Sequence, residues 1–91
     1  MEQLPYTYLK YIIKTIEELK ARNFTNLKDA KSYIENNGGE VFHEEENFID
    51  FNYDNISATF YQEGEDVVMH GLIEAWDDLG DKMLEILIEE L

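Results

Sequence analysis

The chain has no cysteine, one proline, one tryptophan and only seven Lys and Arg side chains among its 91 residues. The lack of cysteine excludes disulfides, thiolate metal sites and thiol nucleophiles together. A secreted domain of this length usually needs such staples, so a reducing cytoplasm is the expected location. The first residues, Met1-Glu2-Gln3-Leu4-Pro5, show neither the basic start nor the apolar stretch of a signal peptide. Apolar runs such as Tyr11-Ile12-Ile13 are short, far below the ~20 residues that cross a bilayer. Nucleophile and phosphate-loop motifs are also missing. There is no GxSxG, Ser32 and Ser57 are the only serines, and Gly38-Gly39 does not follow a strand. No enzymatic activity and no cofactor are expected.

What the chain does have is negative charge. Twenty-one acids against seven bases give a net charge of −14. Such a surface is repelled by nucleic acid and by anionic lipid and is drawn to a basic protein surface. The distribution is uneven. Residues 1–34 hold Lys10, Lys14, Lys20, Arg22, Lys28 and Lys31 against four acids, whereas residues 35–91 hold seventeen acids and only Lys82. Apolar residues make up 44% of the chain, enough for a folded core.

The pattern predicts one small α+β domain spanning residues 1–91, in the order α-α-β-β-β-(β)-α, with helices packed on a small antiparallel sheet. Leu9, Ile12, Ile13, Ile16 and Leu19 recur at helical spacing, following Pro5 at a place where a helix can begin. Asn23-Phe24-Thr25-Asn26 offers a cap for a second helix, about Leu27 to Asn36, which Asn37-Gly38-Gly39 stops. The period then changes to two. Glu40 to Glu44 forms a first strand, and Phe48 to Tyr53 and Ile56 to Tyr61 form a hairpin about Asp54-Asn55. A two-residue loop pairs Tyr53 with Ile56, Phe51 with Ala58 and Ile49 with Phe60. That register puts all six on one face. Val67 to His70 fits either the start of a last helix or a fourth strand. From there Met69, Leu72, Ile73, Trp76, Leu79, Met83, Leu84 and Leu87 fit a helical stripe, interrupted by Gly71 and Gly80.

On that last helix Glu74, Asp78, Asp81, Glu85 and Glu89 would share one outer face, within about 80° of one another, with Asp77 at its edge and Lys82 pairing with Asp78. Ordinary solvated faces mix signs. Like charges four residues apart cost about 0.2–0.5 kcal/mol per pair, so the stripe is a candidate binding surface. Glu44, Glu45, Glu46 and Asp50 form a second acidic cluster with Glu40, and Glu63, Glu65 and Asp66 a third. A stiff array of carboxylates can occupy a groove that grips nucleic-acid phosphates.

Metal binding has weaker support. Asp50-Phe51-Asn52-Tyr53-Asp54 opens like a calcium loop, but Asn55 stands where glycine is required and Tyr61 where the bidentate Glu belongs. His43 and His70 lie in no metal-ligand spacing.

The segment Leu72-Ile73-Glu74-Ala75-Trp76-Asp77-Asp78-Leu79-Gly80-Asp81-Lys82-Met83-Leu84-Glu85 resembles the acidic helix of phage antirestriction proteins that mimic DNA, and the small acidic phage anti-CRISPR proteins. The resemblance implies an inhibitor that fills the DNA-binding channel of a host-defence nuclease, acting in the host cell cytoplasm. The mixed α/β order favours the anti-CRISPR group over the all-helical antirestriction mimic. The alternative expectation is an immunity protein or antitoxin that neutralises one basic toxin, anchored by Tyr6, Tyr8 or Tyr61. A regulatory or oligomeric module is the third, dimerising through Ile86–Ile88 or an open sheet edge.

Overall fold

The computed structural model describes residues 6–76 and 83–87. Its elements are α1 (Tyr6–Ala21), α2 (Leu27–Asn36), β1 (Glu40–Glu44), β2 (Phe48–Tyr53), β3 (Ile56–Glu63), β4 (Asp66–Met69), β5 (Leu72–Trp76) and β6 (Met83–Leu87). The expected mixture of helix and strand is present, but strands dominate. The sheet is antiparallel and runs β1-β2-β3-β5-β6, with β4 also paired to β3.

Both predicted N-terminal helices form. Ile12, Ile16 and Leu19 of α1 and Ala30 and Ile34 of α2 are buried. They pack on Ile49, Phe51, Ile56, Ala58, Phe60, Met69, Ile73 and Ala75 from one face of the sheet. Asn26 caps α2, its side chain accepting from the Asp29 amide at 2.8 Å. The helix is closed by the Gly39 amide, which donates to the Ile34 carbonyl at 2.8 Å. A Cβ on Gly39 would lie 2.6 Å from both the Asn52 carbonyl oxygen and the Ile34 side chain, so the helix end and β2 meet this closely only over glycine.

The β2–β3 hairpin has the register the sequence predicts: Tyr53 faces Ile56, Phe51 faces Ala58 and Ile49 faces Phe60. Asp54 takes a positive φ of 54° at the turn, and the Tyr11 hydroxyl donates to its carboxylate, tying α1 to the hairpin tip. Val67 to His70, open from the sequence, resolves as strand: β4 covers Asp66–Met69.

The predicted C-terminal helix is not formed in the described residues. Leu72–Trp76 and Met83–Leu87 are instead the antiparallel pair β5 and β6, from Leu72 opposite Leu87 to Trp76 opposite Met83. The apolar positions fit both periods. As a strand, β5 buries Ile73 and Ala75 completely and turns Leu72 and Glu74 outward. A single helix from about Val67 to the end would carry Gly71 and Gly80 in its interior at about 1 kcal/mol each. Gly71 in fact adopts a φ of 82°, outside the helical region. The deciding factor is long-range: β4 and β5 supply hydrogen-bond partners to the second side of β3, which would otherwise be an open edge.

Two irregularities shape the sheet. In β1 the pairing slips between Val41 and His43, so that His43 faces Asp50 and Glu44 faces Ile49. Between Phe60↔Met69 and Ser57↔Glu74, three steps along β3 match five along its partner, which absorbs the excess around His70-Gly71. No helix among the described residues is long and apolar enough to cross a membrane.

Candidate functional site

The helices cover one face of the sheet and leave the other outward. Alternation from the buried Ile49, Phe51, Ala58, Phe60, Ile73 and Ala75 assigns Phe48, Asp50, Asn52, Ser57, Thr59, Tyr61, Glu74 and Trp76 to this outer face. The slip in β1 adds His43 to it, because an extra residue at Phe42 reverses the alternation beyond that point. The same slip turns Glu44 to the helix side, where its carboxylate meets the Lys31 ammonium at 3.0 Å.

Four rings cross the outer face in a row. His43 stacks on Phe48 with centroids 5.7 Å apart, Phe48 lies 6.0 Å from Tyr61, and Tyr61 lies 6.1 Å from His70. Each successive ring comes from the next strand or its end, so the row crosses about 14 Å of sheet. Carboxylates close both ends: His43 Nε2 is 3.1 Å from Glu45 Oε1 and His70 Nε2 is 2.6 Å from Glu63 Oε2. Asp50 lies beside the row, directly opposite His43, and accepts a hydrogen bond from the Thr59 hydroxyl.

The second and third acidic clusters of the sequence converge. The β1–β2 and β3–β4 turns lie at the same end of the sheet, bringing Glu44, Glu45 and Glu46 together with Glu63, Glu65 and Asp66. This end is held from several sides. The Glu45 amide donates to the Phe48 carbonyl and the Gln62 amide to the Asn47 carbonyl, each at 2.9 Å. The Gln62 side-chain amide reaches the carbonyls of Thr25 and Gly64 at 2.9 Å and of Asp66 at 3.3 Å, fastening the β3–β4 turn to the segment between the helices. The Val67 amide donates to the Phe24 carbonyl at 3.1 Å. The acids are therefore on a braced scaffold.

The predicted stripe is only partly placed. Glu74 and Glu85 do come together, but as directly opposed residues of β5 and β6 on the outer face, not as neighbours on a helix. Asp77, Asp78, Asp81 and Glu89 lie outside the described residues, as do Lys82 and the side chains of Tyr6 and Tyr8. Ile86 packs half-buried against the core. Every described carboxylate is exposed except Asp50, which is half-buried. No group of three His, Asp or Glu among the described residues is arranged to hold a metal ion.

The ring row is the feature that sequence reasoning missed, although its signal was available. The hairpin register that pairs Ile49 with Phe60 also places Phe48 opposite Tyr61, two large aromatics on the supposedly polar face. His43 joins them only through the slip in β1, which no local sequence signal announces. Comparison of the chain with protein-family models, curated proteins and solved structures finds no match in any of the three.

Proposed function

We propose that this protein is an acidic inhibitor that binds the basic channel of a nucleic-acid-binding host-defence enzyme. The observation that carries this reading is the convergence of Glu44, Glu45, Glu46, Glu63, Glu65 and Asp66 at one braced end of the sheet. Lys31 contacts Glu44, His43 contacts Glu45 and His70 contacts Glu63, and all six carboxylates stay exposed to solvent. Like charges gathered on a small domain oppose its folding, and the arrangement is stable only because hydrogen bonds and core packing hold the turns. A basic channel built for phosphates finds there a compact set of anions. Binding to it relieves the mutual repulsion. Among such inhibitors the anti-CRISPR type is favoured over the antirestriction type, because the chain mixes helix with sheet.

The exposed position of Tyr61 within the ring row also favours a second reading, an immunity protein or antitoxin in which an aromatic anchor fixes one basic toxin. Competition separates the two. In the inhibitor reading, the protein suppresses cleavage by a CRISPR effector nuclease, and excess duplex DNA restores cleavage. Substituting Glu45, Glu46, Glu63 and Glu65 with Gln weakens inhibition at least tenfold while circular dichroism stays unchanged. Inhibition that survives those four substitutions would remove the acidic end as the site.

A further inference from the structure

We propose that the ring row on the outer sheet face, His43, Phe48, Tyr61 and His70, is a docking strip for arginine side chains of the basic partner, an inference that rests on the reading above. Two features of the face act together. The aromatic rings present π faces, which attract cations and stack well against a planar guanidinium. Glu45, Asp50 and Glu63 border the row at its two ends and its side. A carboxylate has acceptor capacity beyond one ring N–H, and a guanidinium carries five donors in a planar fork. An arginine lying on Phe48 or Tyr61 therefore stacks and reaches a carboxylate at once. A lysine ammonium is compact and strongly hydrated and gains mainly from the charge.

The protein already uses this stacking internally. The guanidinium carbon of Arg22, just past the end of α1, lies 4.4 Å from the centre of the Tyr33 ring of α2. On the outer face the rings are partly open, with Phe48 half-buried between His43 and Tyr61. Tyr61 is 36% exposed and the side chains of both histidines are about half exposed. Other occupants fit poorly. A second copy of the chain brings its own charge of −14 and the same bordering carboxylates. A single nucleic-acid strand can stack on an aromatic row, but such platforms track the backbone with a positive groove, and this one is bordered by anions. The occupant that satisfies both rings and border is an extended, arginine-bearing segment of a protein.

Aromatic pairs across strands also stabilise a sheet without any partner, so the test must separate recognition from packing. The full chain is titrated with oligo-arginine and oligo-lysine peptides of equal length at about 0.1 M salt. The oligo-arginine peptide is expected to bind about five- to tenfold more tightly and to shift the ring-proton resonances of Phe48 and Tyr61. Phe48→Leu combined with Tyr61→Leu keeps the net charge. It should bring the two affinities together and leave that for oligo-lysine unchanged. Tyr61→Leu alone is the second variant, expected to lose part of the preference with its melting curve intact. Equal affinity of both peptides for the unsubstituted protein, or a preference that survives in both variants, overturns the docking strip but leaves the basic-partner reading standing. Failure of both peptides to bind overturns the docking strip and the basic-partner reading together.

Discussion

At the scale of single residues, the structure is held by side chains that each settle a local problem. Asn26 caps α2, Gly39 permits the approach of α2 to β2, and Gln62 secures the acidic turn. Two titrating groups carry a consequence for stability. Half-burial raises the Tyr53 hydroxyl above its ordinary value of 10.0, with hydrogen bonding to Tyr33 adding to the shift. The hydrogen bond and charge of Glu44 raise the Lys31 ammonium above 10.5. Both groups hold their protons more tightly when folded. Their stabilisation is thus complete below the ordinary values and is lost as pH rises through the raised ones. Chemical unfolding followed from pH 9 to pH 11 should show stability falling above about pH 10. The fall should be shallower in Tyr53→Phe, which keeps the ring and removes the titrating hydroxyl. Identical alkaline slopes for the two proteins would contradict this role for Tyr53.

At the scale of elements, the readable parts of the sequence were those with a single period and local stop signals. The stripe of α1, the Asn26 cap and Gly38-Gly39 stop of α2, and the hairpin whose two strands agree on one buried face all appear as expected. The last third was misread because Ile73, Trp76, Met83, Leu84 and Leu87 satisfy helical spacing while Ile73 and Ala75 alternate correctly for a strand. The choice is made by distant partners, β3 on one side and the helices beneath, which local periodicity does not contain. The candidate site was legible as two acidic clusters. Their convergence depended on the antiparallel order of four strands. One consequence of the corrected pairing is testable. Glu74 and Glu85 are opposed on adjacent strands, where like charges are unfavourable. Glu85→Lys replaces that repulsion with a cross-strand attraction. It should stabilise the fold by about 0.5–1 kcal/mol, visible as a rise of several degrees in Tm. A lowered Tm would show that the two carboxylates do not face each other.

At the scale of the molecule, the uneven charge along the chain becomes a division between layers. Lys10, Lys14, Lys20, Arg22 and Lys28 are exposed on the helices and the segment joining them, whereas the acids of residues 40–74 belong to the sheet and its turns. The helices also carry the exposed acids Glu17, Glu18, Asp29 and Glu35, so the strongly acidic sheet is turned away from a helix layer of mixed charge. A basic partner of the kind proposed would meet the more negative sheet side first, because charge asymmetry orients an encounter before contact. The most direct measurement maps an oligo-lysine peptide onto the amide resonances of the isotope-labelled protein. The expected shifts concentrate at Glu44–Asn47 and Glu63–Asp66 and fade as salt is raised, with α1 and α2 little affected. Shifts spread evenly over the surface, or centred on the helices, would contradict the assignment of the acidic end of the sheet as the binding surface.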